Sequence, residues 1–115
     1  PSSGGIAVAQ MLGQLERFDL AALGPDSPVF WHLFIESQRL AYADREVYSG
    51  DADFVAVPVE GLVDAGYLAT RSALIDPAAR AAKAEAGVPP GAPLARGDGP
   101  EEPEQGTTHF SVVDK

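Results

Sequence analysis

Apolar side chains recur at helical spacing through the first 87 residues of the chain, and that spacing is lost afterwards. Close to the amino terminus, four of them follow the i, i+3, i+4, i+7 pattern, which predicts an amphipathic helix with this stripe buried. The four residues are Val8, Met11, Leu12 and Leu15. A break follows over Gly24 to Pro28, where Ser27 is the expected helix cap and Pro28 lies in the first helical turn.

The longest predicted helix runs from Pro28 to Tyr48. We expect its apolar residues and Trp31 in the core, and Glu36 at the more hydrated side. Asp44 and Arg45 are expected to form ion pairs on the helix surface. The apolar side consists of Phe30, Leu33, Phe34, Leu40, Ala41 and Val47.

Two further helices are predicted, one over Asp64 to Leu74 and one Ala-rich helix from Pro77 to Ala86 that Gly87 ends. Residues 88–106 are rich in Pro, Gly and acidic side chains, which predicts an extended, mobile linker. The β-branched and aromatic residues of 107–115 predict a strand, and the sheet that pairs with it should lie outside this chain. The expected fold class is therefore mainly α with a terminal β-strand, over segments 1–87, 88–106 and 107–115.

Composition narrows the classes of function. The 115 residues include 17 acidic and 8 basic side chains and no cysteine, for a formal charge of −9. This balance argues against binding to nucleic acid or to an anionic membrane, because both require clustered Lys and Arg. The lack of cysteine excludes disulfides and thiolate chemistry. Because the chain starts with Pro1, we expect it to be a processed product or an excised piece.

Most side chains that could carry chemistry have a simpler interpretation. His32 lies within an aromatic helix face, where a packed or surface histidine is the expected role. Asp51 and Asp53 lack the further oxygen ligands of a calcium loop, so a turn that ends the preceding helix is the better interpretation.

The Gly106-Thr107 junction is the exception, because a small residue there precedes a hydroxyl residue at the start of a predicted strand. Attack of the Thr107 hydroxyl on the Gly106 carbonyl would give an ester, and hydrolysis would free Thr107 as a new amino terminus. Its α-amino group, with a pKa near 8, could then act as the base for its own hydroxyl. The local pattern by itself leaves an ordinary Thr-rich strand as the alternative.

Several short motifs, in this order and with these gaps, resemble the γ-glutamyltranspeptidases of the N-terminal-nucleophile hydrolase superfamily. The resemblance covers essentially the whole chain. The motifs are Pro1-Ser2-Ser3-Gly4-Gly5-Ile6, Phe18-Asp19, Arg39-Leu40-Ala41-Tyr42-Ala43-Asp44-Arg45, Gly50-Asp51-Ala52-Asp53-Phe54-Val55, Val57-Pro58 and Thr107-Thr108-His109-Phe110-Ser111-Val112-Val113-Asp114.

The resemblance implies a longer precursor with an αββα sandwich, which cleaves itself between Gly106 and Thr107. Thr107 would be the catalytic nucleophile, while His109 and Ser111 would have structural roles. The implied substrates are glutathione and related γ-glutamyl amides, whose γ-glutamyl group passes to water, amino acids or peptides. No metal or organic cofactor is implied. The implied partners are the other parts of the large and small subunits, and the implied compartment is periplasmic, secreted or cell-surface.

The resemblance also shows what this chain does not contain. The oxyanion hole and the groups that bind the α-amino and α-carboxylate groups of the substrate lie elsewhere in family members, so we expect the isolated chain to be inactive. Three alternatives stay open: a glutaryl/cephalosporin or oxamate-type acylase or amidohydrolase of the same fold, a homologue that has lost turnover, and a non-enzymatic helical interaction module.

Overall fold

The computed structural model describes residues 4–93 and 111–112, and within them the chain forms helices and no β-strand. The helices are α1 (Gly5–Leu15), α2 (Leu20–Leu23), α3 (Pro28–Tyr48), α4 (Val59–Leu62) and α5 (Ala65–Ser72). The α1 helix packs across α3 and α5, and the short α2 and α4 helices lie against their long neighbours. Over the same residues, no helix has both the length and the apolar character needed to cross a membrane.

The boundaries of α3 and α5 follow from local sequence signals. The α3 helix begins at Pro28 after Ser27, whose backbone is extended, and ends at Tyr48 before the extended Ser49, as predicted. The α5 helix is capped by the side chain of Asp64, which accepts a hydrogen bond from the Tyr67 amide at 2.8 Å. This helix ends at Ser72, so the predicted element exists and is slightly shorter than expected.

The helix predicted near the amino terminus is confirmed, and its predicted buried face is right for Leu15 but wrong for Val8 and Leu12. Val8 and Leu12 are 53% and 62% exposed. The buried face consists of Ala7, Gln10, Gln14 and Leu15. Small and amide side chains point inward because α1 approaches α5 closely: a Cβ on Gly13 would overlap the Leu68 side chain.

The hydrophobic core lies where α1 and α3 meet the chain that follows α5. Leu15, Leu33, Leu40 and Ile75 form its buried cluster, with Phe34 packed at the edge. Trp31 is 50% exposed, so its predicted core position is wrong.

Trp31 stays at the surface because its indole N–H donates to the Pro25 carbonyl oxygen at 2.7 Å. Its ring meets Phe30 and Phe34 edge to face.

The Ala-rich helix predicted from Pro77 to Ala86 does not form. Residues 76–93, called the strap below, run as turns and irregular chain, with a single antiparallel bridge between Asp76 and Ala79. Helix propensity is a weak preference that tertiary contacts override. Here the backbone groups of the strap bond to side chains of α3 and α5, and these bonds replace the internal ones of a helix.

The folded part also extends into the predicted linker. Pro89 is buried. Pro90 lies so close to Gly61 that a Cβ added to Gly61 would overlap the Pro90 carbonyl. Pro89 and Pro90 therefore contact the helical body at the start of the predicted linker, while Val88, Gly91 and Pro93 are exposed. Most of the linker and of the predicted strand lies outside the described residues; Ser111 and Val112 are described, and they are exposed and not in a strand.

Candidate functional site

Gly106 and Thr107, the predicted cleavage site and nucleophile, lie outside the residues that the structure describes. What the structure does show is how the chain leading toward them is held. The other sequence candidates have structural roles, as expected. His32 bonds to backbone, and Asp51 accepts a hydrogen bond from the Asp53 amide at 3.0 Å in the turn after α3. Within residues 4–93 and 111–112, no group of three or more His, Asp or Glu side chains is placed to hold a metal ion.

The α3 helix presents a row of side chains to the strap at every fourth residue. Residues four apart lie on one helix face, so such a row can follow a chain that runs alongside the helix. The row is His32, Glu36, Leu40, Asp44 and Tyr48. Each of its polar members bonds to the backbone of the strap.

The first two contacts of the row hold the start of the strap. The Nε2–H of His32 donates to the Asp76 carbonyl oxygen at 2.8 Å. Glu36, which is 4% exposed, accepts from the Ala81 amide at 3.1 Å. Arg39 donates to the Ala81 carbonyl oxygen at 2.9 Å and to Glu36 at 2.6 Å. The Glu36–Arg39 ion pair thereby satisfies both backbone groups of Ala81.

The environment of Glu36 keeps it ionised. Burial on its own would raise the pKa of Glu36, but the hydrogen bonds from Arg39 and Ala81, with the Arg39 charge, outweigh it. They hold the pKa below its ordinary value of 4.5. The prediction that Glu36 lies at the hydrated side of α3 is therefore wrong, because its charge is compensated within the fold.

Asp44 is the centre of a second, fully buried cluster. Its side chain has no exposed surface, which contradicts the predicted surface ion pair. Its Oδ2 accepts from the side-chain amide Nε2 of Gln10 at 3.0 Å and from the Tyr67 hydroxyl at 2.7 Å. Its Oδ1 accepts from the Gly87 amide at 2.8 Å and lies 3.0 Å from Nη2 of Arg71. One carboxylate therefore joins α1, α3, α5 and the strap.

Arg71 completes this cluster from α5. Its Nη2 also donates to the Leu40 carbonyl oxygen at 3.2 Å and to the Glu85 carbonyl oxygen at 2.7 Å. The guanidinium thus compensates the charge of Asp44 and holds the strap at the same time. In a low-dielectric interior, a carboxylate with this many donors and a paired cation is a stable arrangement.

Two tyrosine hydroxyls border the cluster and differ in what they hold. The Tyr48 hydroxyl donates to the Gly87 carbonyl oxygen at 2.8 Å, so it binds the strap directly. The Tyr67 hydroxyl donates to Asp44 instead. Burial, and then the hydrogen bond and negative charge of Asp44, raise the pKa of Tyr67 well above its ordinary value. Tyr67 is therefore a neutral donor at every physiological pH.

The cluster is arranged for holding a chain rather than for catalysis. Its carboxylate is closed off from solvent, and each oxygen already accepts from several donors, so no substrate can reach it. Asp44, Glu36 and Arg71 were not predicted from the sequence as structural centres. The four-residue spacing of polar side chains along α3 was the signal that could have found two of them.

Comparisons with known proteins place the chain in a family. The whole chain, residues 1–115, matches the family model described as Gamma-glutamyltranspeptidase. It is 43% identical over 115 residues to the glutathione hydrolase proenzyme of Escherichia coli strain K12, covering 100% of this chain and 18% of that protein. It is 48% identical over 75 residues to the acylase ACY 1 proenzyme of Pseudomonas sp. strain V22, covering 65% of this chain and 13% of that protein.

A solved structure supports the same grouping. The crystal structure of Helicobacter pylori gamma-glutamyltranspeptidase matches with a TM-score of 0.71 and 39% identity, over 86% of this chain and 28% of that chain. Both curated relatives are named proenzymes, so the class is one of enzymes made as longer precursors. Within that class, the chain belongs to the gamma-glutamyltranspeptidase family. The chain spans 18% of the length of the Escherichia coli glutathione hydrolase proenzyme.

Proposed function

We propose that this chain is the part of a γ-glutamyltranspeptidase precursor that joins the end of the large subunit to the start of the small one. The precursor cleaves itself between Gly106 and Thr107. The family match carries the proposal, because it extends through the Gly106-Thr107-Thr108-His109 junction to residue 115. The proenzyme names of the relatives agree with a processing step.

Self-cleavage would proceed through an ester. The Thr107 hydroxyl oxygen attacks the Gly106 carbonyl carbon, the peptide C–N bond breaks, and the Thr107 nitrogen takes the proton. Water then hydrolyses the ester, which leaves a carboxylate on Gly106 and a free α-amino group on Thr107. That amine, with a pKa near 8, is the base that accepts the hydroxyl proton in later turnovers.

Turnover would use the same hydroxyl on a γ-glutamyl amide such as glutathione. Thr107 attacks the γ-carbonyl carbon, the amine leaves with the proton, and a γ-glutamyl ester forms on Thr107. Water, or the amino group of an amino acid or peptide, then resolves that ester. The groups that stabilise the oxyanion and bind the glutamyl end would come from the other parts of the two subunits. The 115-residue chain alone is therefore expected to be inactive.

The test is carried out on the full-length precursor with a matched pair of substitutions at one position. Thr107→Val keeps the side-chain shape without the hydroxyl, whereas Thr107→Ser keeps the hydroxyl. We expect wild type and Thr107→Ser to yield a small subunit that begins at residue 107, and Thr107→Val to stay uncut. Wild type and Thr107→Ser should also release p-nitroaniline from a γ-glutamyl anilide, and Thr107→Val should not.

A wild-type precursor that stays intact while folded would overturn the proposal. It would favour a degenerate homologue or a helical interaction module instead. If the folded wild type is cut but does not turn over γ-glutamyl amides, the proposed self-cleavage stands and the proposed substrate class is wrong.

A second candidate function is acylase activity on the same fold. The 48% identity to the acylase ACY 1 proenzyme over 75 residues favours it. A glutaryl anilide lacks the α-amino group of the γ-glutamyl one, so the two substrates separate the candidates. A site that pairs this amino group should reject the glutaryl substrate by roughly 10⁴-fold, and an acylase should not.

We also propose that the parent strand after Thr107 joins an αββα sandwich and that the parent acts outside the cytoplasm, as the family resemblance implies. Fractionation of cells that make the full-length protein tests the compartment. Activity confined to the cytosolic fraction would contradict it.

A further inference from the structure

The outward side of α3 carries a row of mostly apolar side chains. Trp31, Ile35, Gln38 and Tyr42 follow one another at spacings of four, three and four residues, so they lie along one side of the helix. These four residues form the outer row. Trp31 and Ile35 are each 50% exposed, Tyr42 is 45% exposed, and Gln38 is exposed as well. At a rise of 1.5 Å per residue, the outer row is about 16 Å long.

The α3 helix is therefore apolar on two opposite sides. On its inner side, Leu33, Leu40 and Ala41 are buried. A helix at a protein surface is typically apolar on one side only, whereas a helix that is apolar all round is typically buried between neighbours. The pattern of α3 is closer to the second kind, and the part of the chain that the structure describes covers its inner side only.

We propose that the outer row is an interaction surface, which an apolar face of the polypeptide outside these 115 residues covers in the full-length precursor. This inference rests on the part of the proposed function that makes the chain a segment of a longer precursor. The chain spans 18% of the Escherichia coli relative, so most of that protein lies outside the match. In the Helicobacter pylori structure the match covers 28% of the chain, so a similar fold lies there within a larger one.

The outer row contains the side chains that contribute most at protein interfaces. Trp, Tyr and Arg are the residue types enriched among the side chains that dominate binding energy. Trp and Tyr bury a large area and have few rotatable bonds to order. The outer row has one residue of each of these two types, and the guanidinium of Arg45 lies 5.5 Å from the centroid of the Tyr42 ring.

Trp31 is already held in place before a partner surface docks. Its indole N–H donates to the Pro25 carbonyl oxygen at 2.7 Å. Its ring meets the rings of Phe30 and Phe34 edge to face, with centroids 5.3 Å and 5.8 Å away. A side chain restrained in this way loses little conformational entropy on docking. Because the indole N–H has its acceptor, an apolar partner surface can cover the rest of the ring without leaving a polar group unsatisfied.

A second copy of this chain is a poorer occupant of the outer row. Each copy has a net charge of −9, so two copies that meet would bring like charges together. The rest of the precursor, by contrast, is joined to the chain covalently. Its docking is an intramolecular event with a high effective concentration.

The test is thiol labelling with a maleimide, carried out on the full-length precursor in its native state and in urea. The 115 residues contain no cysteine, and the wild-type precursor gives the background from the rest of the polypeptide. Ile35→Cys and Gln38→Cys each place a thiol in the outer row. Lys83→Cys is the matched control, because the Lys83 side chain is 78% exposed and belongs to the strap, which bonds to another side of α3.

We expect Ile35→Cys and Gln38→Cys to react at least about tenfold more slowly in the native precursor than in urea, because a covered thiol reacts only when the structure opens locally. Lys83→Cys should react within about twofold of its rate in urea, since no opening is needed. The protection of the outer row should not change with protein concentration, because the covering surface belongs to the same molecule.

Three outcomes would overturn the inference. Labelling of both outer-row thiols at the rate found in urea would mean that the row faces solvent. Protection that is lost on dilution, as the mass from light scattering falls to that of a monomer, would assign the row to a second copy. Equal protection of Lys83→Cys would mean that the outer row is not a specific surface.

The experiment also separates this inference from the proposed self-cleavage. If the outer row is protected but the precursor is not cut between Gly106 and Thr107, the interaction surface stands and the self-cleavage is wrong. If the precursor is cut while the outer row is labelled freely, the self-cleavage stands and the surface is wrong. Should Ile35→Cys fail to fold, Gln38→Cys decides the question, because it replaces an exposed polar residue.

Discussion

The buried Asp44–Arg71 pair leads to a specific prediction about stability. Arg71→Met removes the guanidinium but keeps an unbranched side chain of similar length. The substitution deletes the 3.0 Å ion pair and the hydrogen bonds to the carbonyl oxygens of Leu40 and Glu85. It leaves a buried carboxylate without its cation, which is the costly way to break a buried pair.

The magnitude follows from what is lost and what stays. Removal of one partner of a buried pair costs about 3–5 kcal/mol. Three donors still bond to the Asp44 carboxylate, so the lower part of that range applies, near ~3 kcal/mol. Asp44→Asn should cost a similar amount, since it leaves Arg71 uncompensated. The double variant buries no unpaired charge and should lose about 2 kcal/mol less than the sum of the two.

The assay is urea unfolding of the 115-residue chain, followed by fluorescence. Trp31 is the single tryptophan, and its indole hydrogen bond to Pro25 breaks on unfolding. The matched control is Lys83→Met, which breaks an ion pair with Glu85 of similar length, 2.9 Å, at 78% and 72% side-chain exposure. Solvent screens that pair, so the unfolding midpoint should not move.

Additive losses in the double variant would refute this reasoning. Agreement of the sum within about 0.5 kcal/mol is what independent sites show. It would mean that Asp44 and Arg71 do not compensate each other, and the cluster would then be a set of separate hydrogen bonds.

Three further predictions concern other parts of the fold. Because the pKa of Glu36 is lowered in the fold, the stability that Glu36 contributes is complete above pH 4.5 and is lost as the pH falls through the lowered pKa. Hydrogen-exchange protection of the strap should therefore fall in that pH range. In Glu36→Gln, the protection of the strap should not depend on pH over the same range. Gly61→Ala should expose the strap to limited proteolysis, because the new Cβ overlaps a strap carbonyl, whereas Gly5→Ala, with open space around it, should not. Leu33→Ala should lower the free energy of unfolding by about 2–5 kcal/mol in denaturant titrations, while Ile35→Ala, at 50% exposure, should change it little.

The extent of the predictable fold is clearest for α3. The sequence placed its ends at Pro28 and Tyr48, because the breaking residues on both sides act locally. It also predicted Leu33, Leu40 and Ala41 as buried, since apolar side chains at helical spacing have few other places to go. The family resemblance, with Thr107 as its nucleophile, likewise rests on short motifs that the chain carries in order.

What the sequence could not determine is the role of residues whose partners are distant in the chain. Asp44 looks like a surface residue until Arg71, Gln10 and Gly87 are brought to it from three other segments. The Ala-rich stretch looks like a helix until α3 and α5 take its backbone bonds. Local propensity is worth tenths of a kcal/mol per residue, whereas a buried charge left without its partner costs several, so tertiary structure decided both.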